Sequence, residues 1–180
     1  MKEAKFTEIA DFIRTRSRAE ELVSSSDLEA LFGAAFSESP ERPQCFIQDV
    51  MLIHQDIKVF PDNAGNRFYY SELFMTDAYV AVLALKSEGN LRMMVEIIRE
   101  NSRTYSRPVK ISLFQCSPFN LTEDQIALVL DNMKLEGSYS DIAQSTTSIG
   151  NIFAYSTDFL DHDHAVMLAE WFDVGQVENP

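Results

Sequence analysis

The chain is poor in the residues that nucleotide-binding loops and disulfide frameworks require. Its six glycines, at positions 33, 65, 89, 137, 150 and 175, are never clustered. Phosphate-cradling loops and the dinucleotide fingerprint need closely spaced glycines, so the sequence predicts neither, and we expect no cofactor. The two cysteines, Cys45 and Cys116, can form at most one pair. That is too few for a disulfide framework, and we expect two buried thiols.

Long apolar runs are also absent. No run approaches the roughly 20 residues that a membrane-spanning helix needs. Residues 1–5 are polar and do not resemble the apolar core of a signal peptide. We therefore expect a cytoplasmic protein that does not enter a membrane. The 46% of hydrophobic and 24% of charged residues exclude wholesale disorder, and the length of 180 residues predicts a single domain, 1–180.

Basic residues are scarce in the last third of the chain. Residues 1–116 hold 14 basic and 17 acidic side chains, a net −3, whereas residues 117–180 hold only Lys134 against 11 acidic side chains, a net −10. Such a charge repels nucleic acid and anionic lipid and attracts basic surfaces. The sequence therefore predicts a basic protein partner and no direct nucleic-acid binding.

Helical periodicity and capping signals predict four helices, near 6–23, 27–36, 122–135 and 159–174. Thr122 and Gln125 form a capping box, the strongest local signal in the chain. In the last helix, the periodicity turns four side chains inward: Leu160, Met167, Leu168 and Trp171. Loops are predicted at 38–44, which has two prolines, and at 138–150, which is rich in serine and threonine.

The β signals predict a hairpin at about 57–74, around the turn Pro61–Asn66, and strands near 79–85, 109–116 and 151–155. The run at 79–85 also fits a helix that Asp77 caps and Gly89 ends. Residues 46–53 are also rich in strand-forming side chains. Residues 90–106 fit a helix or a strand, and the helix is favoured because Leu, Arg, Met and Glu are good helix formers. As a helix they allow a mixed sheet, and as a strand they give an antiparallel meander. Either way, the class is α+β.

One cluster carries candidate metal ligands. Asp158, Asp161, His162 and His164 lie within seven residues, and imidazole with carboxylate is a common donor set for zinc and other transition metals. On a helix, however, residues two apart point about 200° apart, so the two histidines cannot share an ion. The alternative interpretation is that the acids cap a helix and complement its dipole.

The leading hypothesis is a non-enzymatic acidic interaction protein of the chaperone, immunity or inhibitor type, and a homodimer stays open. Its candidate partner-binding residues are Asp131, Glu136, Asp141, Asp163, Glu170 and Asp173. The first alternative is a metal-dependent hydrolase that uses the cluster at 158–164. The second is a small-molecule sensor with an apolar pocket behind the hairpin, lined by Phe60, Phe68 and Tyr70.

Overall fold

A computed structural model describes the backbone of residues 2–37, 43–62 and 65–175. It confirms the α+β class, with seven helices and two three-stranded antiparallel sheets in the described residues. Within this arrangement the chain divides into two compact units, residues 1–84 and 85–180. None of the helices in these ranges combines the length and the apolar character that crossing a bilayer requires.

The first unit contains three helices and a three-stranded sheet, in which the first and second strands of the chain each pair with the third, and the helix Asp77–Ser87 includes its last residues. In chain order the elements are α1 (Lys2–Arg18), β1 (Val23–Ser24), α2 (Ser25–Ser37), α3 (Pro43–Ile53), β2 (Ile57–Pro61), β3 (Arg67–Ser71) and α4 (Asp77–Ser87).

The second unit has three helices and a sheet paired in the same way, its first and second strands each joined to the third. Its elements are α5 (Asn90–Thr104), β4 (Val109–Lys110), a 3-10 helix (Ile111–Gln115), α6 (Glu123–Leu135), a 3-10 turn (Gly137–Tyr139), β5 (Ile142–Thr146), β6 (Ile152–Ser156), α7 (His162–Glu170) and a π-helical turn (Trp171–Gly175).

The two units repeat one topology, with equivalent residues 85 positions apart. The hairpin register runs from Ile57↔Ser71 to Pro61↔Arg67 in the first unit. In the second it runs from Ile142↔Ser156 to Thr146↔Ile152, which is the same register shifted by 85. The hairpin turns also correspond, since Gly65 and Gly150 have φ of 87° and 88°, a conformation that glycine adopts readily.

The same hydrogen bonds recur in both units at the same sequence separations. Arg14 donates two bonds to Asp56, at 2.9 and 2.5 Å and a separation of 42 residues. Arg99 does the same to Asp141, at 2.9 and 2.6 Å and again 42 residues. The Ser71 hydroxyl donates to Asp56 at 2.8 Å. Because the bonds match atom for atom, we interpret the chain as an internal duplication.

A buried serine joins the first helix of each unit to the last strand of its sheet. The backbone N–H of Ser71 donates to the Ser17 hydroxyl at 2.9 Å, across 54 residues. The N–H of Ser156 donates to the Ser102 hydroxyl, also at 2.9 Å and across 54 residues. All four serines are at most 1% exposed, so each hydroxyl satisfies a backbone donor that water cannot reach.

The apolar cores correspond as well. Ile9, Ala10 and Ile13 of α1 are fully buried, and they pack with side chains of α3 and β3 in one cluster. Their equivalents 85 residues later, Met94, Val95 and Ile98, form the buried face of α5. The helix interpretation of residues 90–106, which also fitted a strand, is confirmed, and the helix ends at Thr104.

Two predicted strand regions are helical, and these predictions were wrong. Residues 79–85 lie in α4, which buries Val80 and Ala84 four residues apart, and an apolar run of seven residues does not reveal its period. Residues 46–53 lie in α3, which begins at Pro43, a favourable first helical residue. In this segment, the packing of the helix in the folded unit outweighs the intrinsic strand preference of its side chains.

The strand predicted at 109–116 is much shorter than expected. Only Val109 and Lys110 pair with β6, and the chain then continues as a 3-10 helix that buries Ile111 and Phe114, a spacing of three that suits this helix. The loop predicted at 138–150 contains β5, which pairs with β6 along its whole length. No parallel pairing exists among the described strands, so the mixed-sheet alternative was wrong.

The remaining boundaries are close to the predictions. The hairpin, the helix at 27–36, the strand at 151–155 and the Thr122–Gln125 capping box are confirmed. The first helix ends at Arg18 and not near 23, and α7 begins at His162 and not at 159. Of the loop at 38–44, residues 38–42 lie outside the described residues, and α3 begins at Pro43. Cys116 is an exposed thiol, contrary to expectation.

The buried serine bond generates the first testable prediction. Ser102→Ala leaves the buried N–H of Ser156 without its acceptor, so we expect the free energy of unfolding to fall by about 1–3 kcal/mol, measured by urea denaturation followed by circular dichroism. The matched control is Ser112→Ala at an exposed serine, which should change stability by less than about 0.5 kcal/mol. Equal stability of the two variants would contradict the prediction.

Candidate functional site

The Asp/His cluster is built as a helix start. Asp161 is the N-cap of α7, and its carboxylate accepts the backbone N–H groups of Asp163 at 3.0 Å and His164 at 3.3 Å. The Nδ1 atom of His162 is hydrogen-bonded to the hydroxyl of Tyr155. Asp158 lies in the turn before the cap. The sequence favoured Asp158 as the cap, and this was wrong, because the cap lies three residues later, at Asp161.

No three His, Cys, Asp or Glu side chains in the described part of the chain come close enough to hold a metal ion together. His162 and His164 lie two residues apart in α7, so their side chains point in different directions. The metal-site prediction for residues 158–164 therefore has no geometric support.

Two of the predicted partner-binding acids are committed to internal contacts. Asp141 receives Arg99 and the Ser156 hydroxyl, the latter at 2.7 Å. Asp173 lies in the π-helical turn after α7, with its side chain 3% exposed. Neither carboxylate is therefore open to a partner. Counting acidic residues in the sequence could not reveal this, because a count does not distinguish a paired acid from a free one.

The carboxylate of Asp173 fixes the turn that follows α7. It accepts Lys110 Nζ at 2.6 Å, the Thr147 hydroxyl at 2.6 Å and the Asn151 side-chain amide at 2.9 and 3.0 Å. Burial raises the pKa of Asp173, but these donors outweigh burial and leave the pKa below its usual value. The turn is thereby tied to β4 and to the hairpin β5–β6.

The four other predicted acids lie nearer to solvent. Asp131, Glu136 and Asp163 are exposed, and Glu170 is half-buried. Asp131 faces Lys134 at 3.4 Å, and Glu170 accepts the backbone N–H of Ser148 at 3.0 Å. Within the described residues, Glu136 and Asp163 make no ion pair. A contribution of these acids to partner binding stays a prediction.

A cleft lies at the same place in both units, between the hairpin turn and the chain that follows the first short strand. In the first unit it has a volume of about 570 Å³ and a largely polar lining: Ser24, Ser25, Ser26, Glu29, Gly65, Asn66, Arg67 and Phe68. In the second it has about 320 Å³ and a more apolar lining, which includes Ile111, Ile126, Ala127, Leu130 and Ile152. The duplicated clefts have thus diverged in chemistry.

The aromatic residues proposed for a sensor pocket lie in two different surroundings. Phe68 lines the polar cleft, whereas Tyr70 is buried and packs with Phe60 in a cluster that also holds Met75 and Val80. Burial raises the pKa of the Tyr70 hydroxyl, which is hydrogen-bonded to Asp77. Tyr70 and Phe60 therefore belong to the core, and small-molecule binding stays a prediction.

The sequence did not predict that α7 has an exposed apolar face. Met167 and Trp171 were expected to point inward, but they are 60% and 52% exposed. The buried residues of α7 are Ala165 and Ala169. The periodicity was misjudged because large apolar side chains were taken as the inner face, while this helix packs through its small ones. The buried alanines, four residues apart, were the signal that could have located the face.

The fold and surface define an α+β protein of two repeated units, the second of which carries acidic side chains and an exposed apolar helix face. Residues 86–177 match the family described as the YdhW C-terminal domain, and the chain belongs to this family. The matched region is nearly the second unit, 85–180.

One relative extends the similarity beyond that unit. The chain is 26% identical to the uncharacterized protein YdhW of Escherichia coli (strain K12) over 175 residues, which are 96% of this chain and 80% of that protein. The similarity therefore includes the first unit as well as the second. No solved structure matches the chain.

The two Arg–Asp pairs generate a prediction about pH. Hydrogen bonding to Arg14 lowers the pKa of Asp56 from 3.8 to about 2, and hydrogen bonding to Arg99 lowers that of Asp141. A carboxyl group with a depressed folded-state pKa stabilises the protein above its ordinary pKa, and that stability is lost as pH falls through the folded value. We expect Asp141→Asn to destabilise the protein clearly at pH about 6 and much less at pH about 2.

The measurement is urea denaturation of both proteins across this pH range. Asp131→Asn, at an exposed carboxylate, is the control and should differ little from the parent protein throughout. A stability loss in Asp141→Asn that stays constant down to the lowest pH would contradict the interpretation of the ion pair.

Proposed function

We propose that this protein is a non-enzymatic interaction protein that presents the acidic part of its second unit to a basic protein partner. The observation that carries the proposal is the composition of residues 117–180, which contain 11 acidic residues and a single basic residue, Lys134. Chaperone, immunity and inhibitor proteins are the classes that use such a surface in this way. The partner is defined here by its chemistry, which is a cationic protein surface.

The distribution of charge within the second unit supports the proposal. The basic residues of this unit, apart from Lys134, lie between Lys86 and Lys110. Four of them form ion pairs within the unit: Arg99 with Asp141, Lys110 with Asp173, Arg92 with Glu88 and Arg103 with Glu100. The exposed acids after Cys116 therefore meet little positive charge from their own unit.

Individual acidic side chains are available at the surface. Asp124, Glu136 and Asp163 are exposed, and in the described structure none of them forms an ion pair. Such groups keep their hydration in the free protein and gain a charged partner on association. Complementary charge then speeds the encounter and makes affinity depend on salt, more than it adds to the intrinsic affinity.

The proposal predicts binding to a cationic amphipathic peptide of leucine and lysine, followed by isothermal titration calorimetry. Raising the NaCl concentration from about 0.05 M to about 0.3 M should weaken the affinity about tenfold because exposed charges are screened. A leucine–glutamate peptide of the same length should not bind. Absence of binding to the lysine peptide at low salt would overturn the proposal.

Charge-matched variants locate the surface. The double variant Glu136→Gln with Asp163→Asn should weaken binding several-fold. The control, Glu8→Gln with Glu29→Gln, removes the same charge from exposed positions of the first unit and should leave the affinity nearly unchanged. Equal weakening by both pairs would mean that net charge alone is sensed, and the acidic surface of the second unit would not be the binding site.

A further inference from the structure

The outer face of α7 combines apolar side chains with acids at one helical spacing. Asp163, Met167, Glu170 and Trp171 follow at i, i+4, i+7 and i+8, so they share one side of the helix. Val166 lies beside them and is 38% exposed. Large apolar side chains side by side on a surface mark interaction sites more often than isolated ones do.

The equivalent helix of the first unit, α4, shows that the fold does not require this helix face to be exposed. The equivalents of Met167 and Trp171, 85 residues earlier in α4, are Val82 and Lys86, and both are partly buried. In the second repeat the same two positions carry larger apolar side chains and are exposed. The second unit thus has tryptophan where the first has Lys86, and Trp171 is more exposed than Lys86.

The ring of Trp171 is held in place from behind. A Cβ atom built on Gly175 would lie 2.7 Å from Cε3 of the Trp171 ring, so the ring rests against the glycine backbone. Both residues belong to the π-helical turn, which the buried carboxylate of Asp173 ties to Lys110, Thr147 and Asn151. A fixed, half-exposed tryptophan loses little side-chain entropy when a partner covers it.

We propose that the α7 face is the docking site for the apolar side of a basic amphipathic helix, with Trp171 as the anchor and Met167 beside it. Asp163 stands on the same face to receive a lysine or arginine side chain, and Glu170, whose carboxylate also accepts two hydrogen bonds from Ser148, adds negative charge beside it. An apolar centre with a tryptophan anchor and a polar rim is the composition typical of a binding hot spot. This inference rests on the proposed function and names the place and kind of contact.

Charge decides between this occupant and a second copy of the chain. In a symmetric dimer the same patch meets itself, so the carboxylates of Asp163 and Glu170 would be brought close to the same acidic patch of the second copy. A protein with a net charge of −13 also repels itself at long range. A cationic amphipathic helix satisfies both the apolar side chains and the acids.

Trp171 provides a direct readout because it is the chain's single tryptophan. On addition of the leucine–lysine peptide to the full chain, we expect the Trp171 emission to shift to shorter wavelength and its quenching by acrylamide to fall. The leucine–glutamate peptide should leave both unchanged. Sedimentation of the free chain checks the competing occupant, and a dimer that dissociates in Trp171→Ala would overturn the proposal in favour of a second copy.

Variants test the face by calorimetry with the same peptide. Trp171→Ala should weaken the affinity about tenfold or more, and Met167→Ser several-fold. Gly175→Ala, which forces the ring from its seat, should weaken it with the Trp171 side chain still present. Leu128→Ala is the control, since Leu128 is exposed on α6, and should bind as the parent chain does. Circular dichroism confirms that each variant is folded.

The two proposals fail in different ways. If the peptide binds with the expected salt dependence, but the tryptophan emission is unchanged and Trp171→Ala binds equally well, the α7 docking site is overturned and the proposed function stands. If the peptide does not bind at low salt, both are overturned. A shift in emission together with weakening by Trp171→Ala and Gly175→Ala supports both.

Discussion

Each unit depends on one arrangement of an arginine, an aspartate and a serine that joins a helix to a hairpin. In the second unit, Arg99 of α5 reaches Asp141 just before β5, and Asp141 also accepts the hydroxyl of Ser156 at the end of β6. Because the guanidinium and carboxylate bond in two places, the arrangement fixes orientation as well as distance. The first unit repeats it with Arg14, Asp56 and Ser71.

Local signals were sufficient for part of this fold. The capping box of α6 and the hairpin turn before Arg67 were predicted correctly because their chemistry lies within a few residues. The apolar runs in α3 and α4 were misassigned because their burial is decided by distant partners. The duplication was present as identical residues 85 apart, such as Arg14 and Arg99, but these common residue types are separated by many changed positions.

Duplication explains why the two units can share a scaffold and differ in surface. The hydrogen-bonded positions are kept because losing either partner leaves a buried polar group unsatisfied. Surface positions outside that network and outside the apolar core are less constrained. The cleft beside the hairpin turn offers Arg67 in the first unit and Ile152 at the equivalent position in the second. The acids predicted from composition also divide in this way, since Asp141 belongs to the scaffold and Asp163 to the surface.

The exposed face of α7 follows from how this helix packs. Ala165 and Ala169 bring it close to the rest of the unit, and residues on the opposite side consequently cannot reach the core. Polar side chains on this exposed face would not reduce the stability of the fold, yet the chain places Met167 and Trp171 there. Exposed large apolar groups favour association, and the neighbouring Asp163 and Glu170 restrict which surfaces can associate. Apolar anchors placed among acids would therefore favour a cationic amphipathic partner, the occupant that we propose.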